Sequence, residues 1–314
     1  MILSGTPIEN SLDELWSLFD FLMPGFLGPY DRFIEKYVRS SGKEQAAQLN
    51  YLRKKVSPFI LRRMKVDVLD DLPSVAENVY HTQLTAVQKE LYRSYAESAR
   101  DELTKLVEKS GFDKVQIHVL ATLTRLKQIC CHPAIFAKEK PESGDSAKYE
   151  MLLELLRTLI EGNHKVVIFS QYTQMLKIMR EDFQREGICF SYLDGSSKNR
   201  LEIVKKFNED PSISVFLVSL KAGGTGLNLV GADTVIHYDM WWNPAVENQA
   251  TDRVHRIGQK NNVSVYKLVT LGTIEEKIVE MQQRKKGIVK KIVSCDDEAI
   301  AKLTWEDVLE LLQT

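Results

Sequence analysis

The stretch SVFLVSLKAGGTGLN, residues 214–228, places a strand signal directly before a glycine-rich turn. Its first part, 214–219, is a near-continuous apolar run of the kind buried on both faces of a sheet. Its second part holds three glycines in four residues, Gly223, Gly224 and Gly226. Backbone N–H groups there can approach an anion closely; a plain tight turn is the other reading. Neither a dinucleotide fingerprint nor a P-loop fits. Gly224-x-Gly226 would need Gly or Ala at position 229, which is Leu229. The one Gly-Lys step, Gly42-Lys43, is followed by Glu44 rather than Ser or Thr.

The same alternation extends outward from this stretch. Strand signals fall at 166–170 (VVIFS), 188–193 (ICFSYL), 234–238 (TVIHY) and 263–269 (VSVYKLV). Helical periodicity fills 147–161, 173–186, 198–208, 244–257 and 273–293. Apolar strands separated by helices predict an α/β fold with a parallel sheet covered on both faces, and place function in the loops at the carboxyl ends of the strands. Before about residue 145 the pattern is almost entirely helical, at 30–39, 43–57, 85–109 and 114–130. Ser11 and Glu14 form a capping box ahead of the stripe Leu12, Leu15, Trp16, Phe19 and Leu22, and Pro24-Gly25 ends that helix. A charged, Pro-terminated connector follows near 62–73, and the polar run KEKPESGD at 138–145 marks a boundary.

Bulk properties narrow the function classes. The 314 residues suffice for about two domains. The net charge of -1 supplies no global basic field, so a nucleic-acid site must be a local patch. Four cysteines without a C-x-x-C pair indicate neither a zinc site nor a disulfide framework, and a reducing compartment is expected. The adjacent Cys130, Cys131 and His132 have poor spacing for one zinc and read as core and helix end. No apolar run approaches the ~18 residues of a membrane span, and no secretory signal is expected.

The densest chemistry is NQATDRVHRIGQ, 248–259. If 244–257 is one helix opened by Pro244, then Ala250, Val254 and Ile257 make a buried stripe. Gln249, Arg253 and Arg256 then share a neighbouring edge, and Gly258 caps the end. Two guanidiniums on one edge suit phosphate oxygens; a solvated face paired to Asp252 or Glu247 is the bland alternative. Tyr238-Asp239-Met240-Trp241-Trp242-Asn243-Pro244 also follows a strand. Its tryptophans either plug a core or lie against a nucleic-acid strand. Ser170-Gln171 offers small polar donors at the same sheet edge.

The order of these stretches is more specific than any one of them. GTPIEN, VIFSQYTQML, YLDGSS, SLKAGGTGLNL, WWNP and QATDRVHRIGQ together resemble the Swi/Snf family of helicase-like, DNA-dependent ATPases in superfamily two. FILRRMKVDVLDDLP is similar to that family's linker between lobes, and LKQICCHP also fits. The resemblance covers essentially the whole chain. It implies a second RecA-like lobe, a parallel sheet flanked by helices, preceded by mainly helical protrusions. The implied division is a first-lobe remnant with protrusion at 1–60, linker at 61–75 and second-lobe protrusion at 76–146. The lobe with its brace helix spans 147–293, with a helical tail at 294–314. The brace carries Arg284, Lys285, Lys286, Lys290 and Lys291.

By the same resemblance, Arg253 and Arg256 match the arginine fingers, and Gln249, Gly226 and Asp252 lie near the nucleotide. Ser170, Gln171, Lys221, Gly223, Gly224, Thr225 and Trp242 match the DNA track. Gly5 and Thr6 sit in the motif coupling the nucleotide site to the second lobe. The cofactors implied are ATP and Mg2+, held mainly by a first lobe; no resident metal site is expected in this chain. The partners implied are double-stranded DNA, that first lobe in cis or on a companion chain, and a DNA-bound protein target, with no membrane. Cytoplasm at the nucleoid, or nucleus, follows according to a bacterial or eukaryotic host. MILSGTPIEN then reads as the last strand and coupling turn of an ATP-binding lobe lying upstream. The chain is expected to be the carboxyl-terminal part of a double-stranded DNA translocase, inactive alone. A non-catalytic DNA- or partner-binding remnant is the alternative. Residues 1–60 are expected to expose Ile2, Leu3, Trp16, Phe19 and Phe21 as an apolar patch.

Overall fold

Six strands form one sheet in a computed structural model that describes residues 12–38, 42–60, 72–137, 145–223, 226–286 and 304–313. They are Val75–Thr82 (β1), Val166–Ser170 (β2), Phe190–Leu193 (β3), Val215–Ser219 (β4), Thr234–His237 (β5) and Val263–Thr270 (β6). The order is β1-β6-β5-β2-β4-β3, and every neighbouring pair is parallel. β2, β4 and β5 are buried along their whole length. Alternation along each strand splits the core. Val166 and Ile168 face one layer with Leu217, Ile236 and Leu268, while Val167 and Phe169 face the other with Phe216, Val218 and Val235.

β1 is the main departure from the sequence reading, which assigned 76–146 to helical protrusion. Residues 75–82 pair with β6 over eight positions, from Val75↔Val263 to Thr82↔Thr270. VAENVYHT carries no continuous apolar run because it lies at the sheet edge and is mostly exposed. The remaining strands sit within two residues of their expected limits.

The chain divides into two compact units, residues 1–71 with 286–299 and residues 72–285 with 300–314. In the first, Leu12–Leu22 (α1), Tyr30–Phe33 (α2), a π-helical turn at Ile34–Val38 and Gly42–Val56 (α3) enclose a core of Leu15, Phe19, Phe33, Tyr37, Leu52 and Val56. Phe19 is therefore buried, not part of an exposed patch, because α1 packs on α2 and α3 locally. Trp16 is half-buried, its Nε1 donating to the Gly28 carbonyl at 3.0 Å, whereas Phe21 is exposed. Ile2, Leu3, Gly5, Thr6, Ser11, residues 61–71 and 138–144, Lys290 and Lys291 lie outside the described residues.

In the second unit, Ala86–Ser110 (α4) and Phe112–Cys131 (α5) form a helical hairpin, followed by Pro133–Ala137 (α6). Ala147–Glu161 (α7) and Thr173–Arg185 (α8) cover one sheet face; Arg200–Glu209 (α9), Leu220–Gly223 (α10) and Pro244–Thr251 (α11) lie with the other. The hairpin packs on Met240, Val269 and Ile274–Lys286 (α12), and Trp305–Leu312 (α13) joins the same core through Val308, Leu311 and Leu312. Cys130 and Cys131 end α5 and are fully buried. Where these layers meet, the Lys148 ammonium pairs with the Glu275 carboxylate, both side chains excluded from solvent. Glu275 also accepts from the Thr270 N–H at 3.0 Å, and the Lys148 Nζ lies 5.6 Å from the centre of the Tyr238 ring.

Candidate functional site

Because β5, β2 and β4 are neighbours, their carboxyl ends bring residues 170–171, 220–229 and 238–243 to one edge. Ser170 is fully buried, and its hydroxyl donates to the carboxylate of Asp239, the second residue beyond β5. The Gln171 N–H lies 3.2 Å from each Asp239 oxygen, and its side-chain amide donates to Oδ1 at 2.7 Å. One carboxylate thus fixes both polar residues that follow β2. Burial raises the Asp239 pKa above the usual carboxylate range; the Lys127 charge and the donors from Ser170 and Gln171 pull the other way.

The tryptophan loop is held at its backbone. The Trp241 N–H donates to Glu247 Oε1 at 2.8 Å, and the Gln282 amide donates to the Trp241 carbonyl. Glu247, on α11, is buried and lies 3.3 Å from the Lys267 ammonium of β6, which also pairs with Glu77 of β1. Asn243 starts α11 by accepting from the Ala245 N–H at 2.9 Å, with Pro244 at the first turn. Trp241 and Trp242 are both half-buried. Trp241 packs with the sheet core, and Trp242 with the core of the α4–α5 hairpin.

The arginine segment is not one helix. α11 stops at Thr251, and 252–258 continue as turns, so Gln249 is helical while Arg253 and Arg256 are not. Tertiary partners divert the carbonyls a longer helix would use: Arg253 C=O accepts from the Leu229 N–H at 2.9 Å, and Val254 C=O from the Gln259 amide at 3.1 Å. Ala250 and Val254 are buried as expected, but Ile257 is 74% exposed and lies outside the stripe. Gln249, Arg253 and Arg256 are half-buried, and Asp252 is exposed. Arg256 donates from Nη1 to the Leu227 carbonyl at 3.3 Å, joining this turn to the glycine-rich segment. In that segment Gly226 has φ +61°, which favours glycine. Lys221 and Gly223 fall in α10, whereas Gly224 and Thr225 lie outside the described residues.

Residues 1–135 match the SNF2-related domain, and residues 147–258 the helicase conserved C-terminal domain. The SWI2/SNF2 ATPase C-terminal domain of Sulfolobus solfataricus is 32% identical, with a TM-score of 0.63 over 77% of this chain and 100% of that one. This chain belongs to the SWI2/SNF2 family of ATP-dependent helicases. The SWI2/SNF2 ATPase core of the same organism, solved in complex with double-stranded DNA, is 36% identical with a TM-score of 0.65, covering 98% of this chain and 65% of that one. The putative ATP-dependent helicase/translocase YwqA of Bacillus subtilis is 42% identical over 320 residues, 98% of this chain and 34% of YwqA. The chain spans about a third or less of the length of the curated relatives it matches.

In this SWI2/SNF2 chain, Asp239, Glu247 and Gln282 hold the segments that follow the strands, and none of them is among the candidate site residues of the sequence. Asp239 could have been found from its position: a carboxylate just past a strand, level with Ser170 on the neighbouring strand. Glu247, Gln282 and Lys127 sit on three separate helices, and no local pattern joins them.

Proposed function

We propose that this chain forms the second RecA-like lobe and flanking elements of an ATP-driven translocase on double-stranded DNA. Ser170, Gln171, Lys221, Gly223, Gly224, Thr225 and Trp242 line half of the DNA track. The observation that carries this reading is the single carboxylate, Asp239, which lies in the segment leading from β5 to Trp242 and fixes Ser170 and Gln171 at the neighbouring end of β2. The Ser170 hydroxyl and one amide hydrogen of Gln171 are given to Asp239, so the second amide hydrogen of half-buried Gln171 is the donor suited to a backbone phosphate, which positions a duplex without reading its sequence. The likeness to a SWI2/SNF2 core solved with DNA supports it.

Arg253 and Arg256 are assigned as arginine fingers, stabilising charge on the γ-phosphate, with Gln249, Gly226 and Asp252 beside the nucleotide. Such a finger contributes ~10³–10⁵ in rate, about 4–7 kcal/mol. ATP and Mg2+ are held mainly by the first lobe, to which Gly5 and Thr6 couple this one. A DNA-bound protein is the proposed target of the assembled motor.

The test is direct. The 314-residue chain is expected to bind duplex DNA with strong salt dependence and to show no ATP turnover by itself. Joined to a SWI2/SNF2 first lobe it gains DNA-stimulated turnover, which Arg253→Ala abolishes. DNA-stimulated hydrolysis by the 314 residues alone, lost on Arg253→Ala, overturns the division of labour. DNA binding without any gain on adding the first lobe identifies a non-catalytic remnant instead.

A further inference from the structure

A lysine is rarely enclosed in a protein interior unless something compensates its charge. Lys127, on α5, is 1% exposed. Its ammonium lies 5.9 Å from the Trp241 ring centre and 5.6 Å from that of Trp242, within the range of cation–π attraction. It is also the nearby positive charge that opposes the effect of burial on Asp239. Asp239 in turn holds Ser170 and Gln171. The cation is therefore seated against both rings of the loop after β5, and its charge acts on the carboxylate that holds the polar residues after β2.

We propose that Lys127 is a positioning residue for the DNA face, a shared counter-charge that keeps the Ser170–Gln171–Asp239 cluster and the Trp241–Trp242 rings in one fixed arrangement. This rests on the DNA reading above. Lys127 does not reach the duplex; it acts through Asp239 and the two rings. The backbone clamp from Glu247 and Gln282 sets where the loop runs, and Lys127 sets how its rings are presented. A merely structural lysine would matter for stability alone. A positioning lysine changes the environment of the rings and the grip on DNA in a folded protein.

The experiment uses the full chain with Trp16 and Trp305 replaced by Phe, so that only Trp241 and Trp242 report. Lys127→Met, Lys127→Arg, Asp239→Asn and the Lys127→Met/Asp239→Asn double variant are compared. Tryptophan emission, anisotropy of a labelled duplex and urea unfolding are measured on each. Lys127→Met is expected to shift the emission and weaken duplex binding about tenfold, the scale of one cation–π contact plus a charge pair. Lys127→Arg keeps the charge and restores most of both. The double variant binds better than the product of the single losses predicts, because the two charges are removed together.

Unchanged emission with binding within about twofold of the parent, or strict additivity in the double variant, overturns the proposal. If Lys127→Met does not fold, Asp239→Asn and Lys127→Arg decide it from emission and binding. If the parent chain shows no salt-dependent duplex binding, the DNA reading fails. Emission, shifted in Lys127→Met and restored in Lys127→Arg, then decides separately whether Lys127 holds the rings.

Discussion

Replacing Lys148 by Met is expected to destabilise the second unit far more than an average substitution. The Lys148 ammonium and the Glu275 carboxylate are both sealed from solvent where α7, α12 and β6 meet. Methionine fills much the same volume, so the packing loss is small. What remains is a buried carboxylate whose other partner is the Thr270 N–H, 3.0 Å from Oε2. Removing one member of such a pair costs about 3–5 kcal/mol. For a unit of this size that lowers Tm by roughly 6–20 °C, at about 2–4 °C per kcal/mol. Lys148→Met/Glu275→Leu removes the orphaned charge as well and should recover most of the loss.

The pH dependence of the pair has a definite sign. Burial alone pushes the Lys148 pKa down, but Glu275 and the neighbouring thiols override it, and the net direction is upward. A raised lysine pKa contributes stability that is complete below the ordinary value and lost as pH rises through the folded one. The gap between wild type and Lys148→Met should stay constant from neutral pH to about 10 and close only above that. Urea unfolding followed by circular dichroism measures both quantities. A loss below about 1 kcal/mol, or a double variant no more stable than the single, refutes the reasoning.

Asp239→Ala leaves the Ser170 hydroxyl and the Gln171 amide without this acceptor; at about 1.5–3 kcal/mol for each of two charged hydrogen bonds lost, urea unfolding should show a loss of at least about 3 kcal/mol. Gln259→Ala removes an amide that donates to Ala232 and Val254 and accepts from the N–H groups of Lys260 and Asn261. Amide exchange at 253–257 should accelerate while that of β2 stays slow, and equal protection at both would contradict the turn's dependence on Gln259. Burial, with the Lys267 charge second, holds the His237 pKa down to about 3. This imidazole contributes stability present above the ordinary value of ~6.5 and lost as pH falls towards the folded value, so His237→Gln should flatten the acid side of the stability curve measured by urea unfolding.

Residues 166–170, 215–219 and 234–237 were legible because parallel strands buried on both faces need continuous apolar runs. β1 was not, because its exposed edge position removes that requirement and its stability comes from backbone pairing with β6. The helix at 244–257 was over-extended for a different reason. Ala250, Val254 and Ile257 have helical spacing, but Leu229 and Gln259, distant or out of phase, take the carbonyls that decide the conformation. The site divides along the same line. The places of Ser170, Gln171 and Trp242 after strands were visible in the sequence, whereas Lys127, Glu247 and Gln282 lie on three separate helices whose packing the one-dimensional pattern does not encode.

The pairing of β1 with β6 also has a mechanical meaning. β1 begins at Val75, just beyond the connector, and runs parallel to β6 for eight residues. Tension arriving through residues 72–74 pulls this strand along its own axis, across its ladder of hydrogen bonds. In that shear geometry the rungs resist together instead of opening one at a time. A pull there enters the sheet where Val75 faces Val263; further along, Lys267 of β6 pairs with Glu77 on β1 and lies against Glu247 beneath the tryptophan loop. An element that looks marginal by burial is thus held by pairing that resists a pull along its own axis.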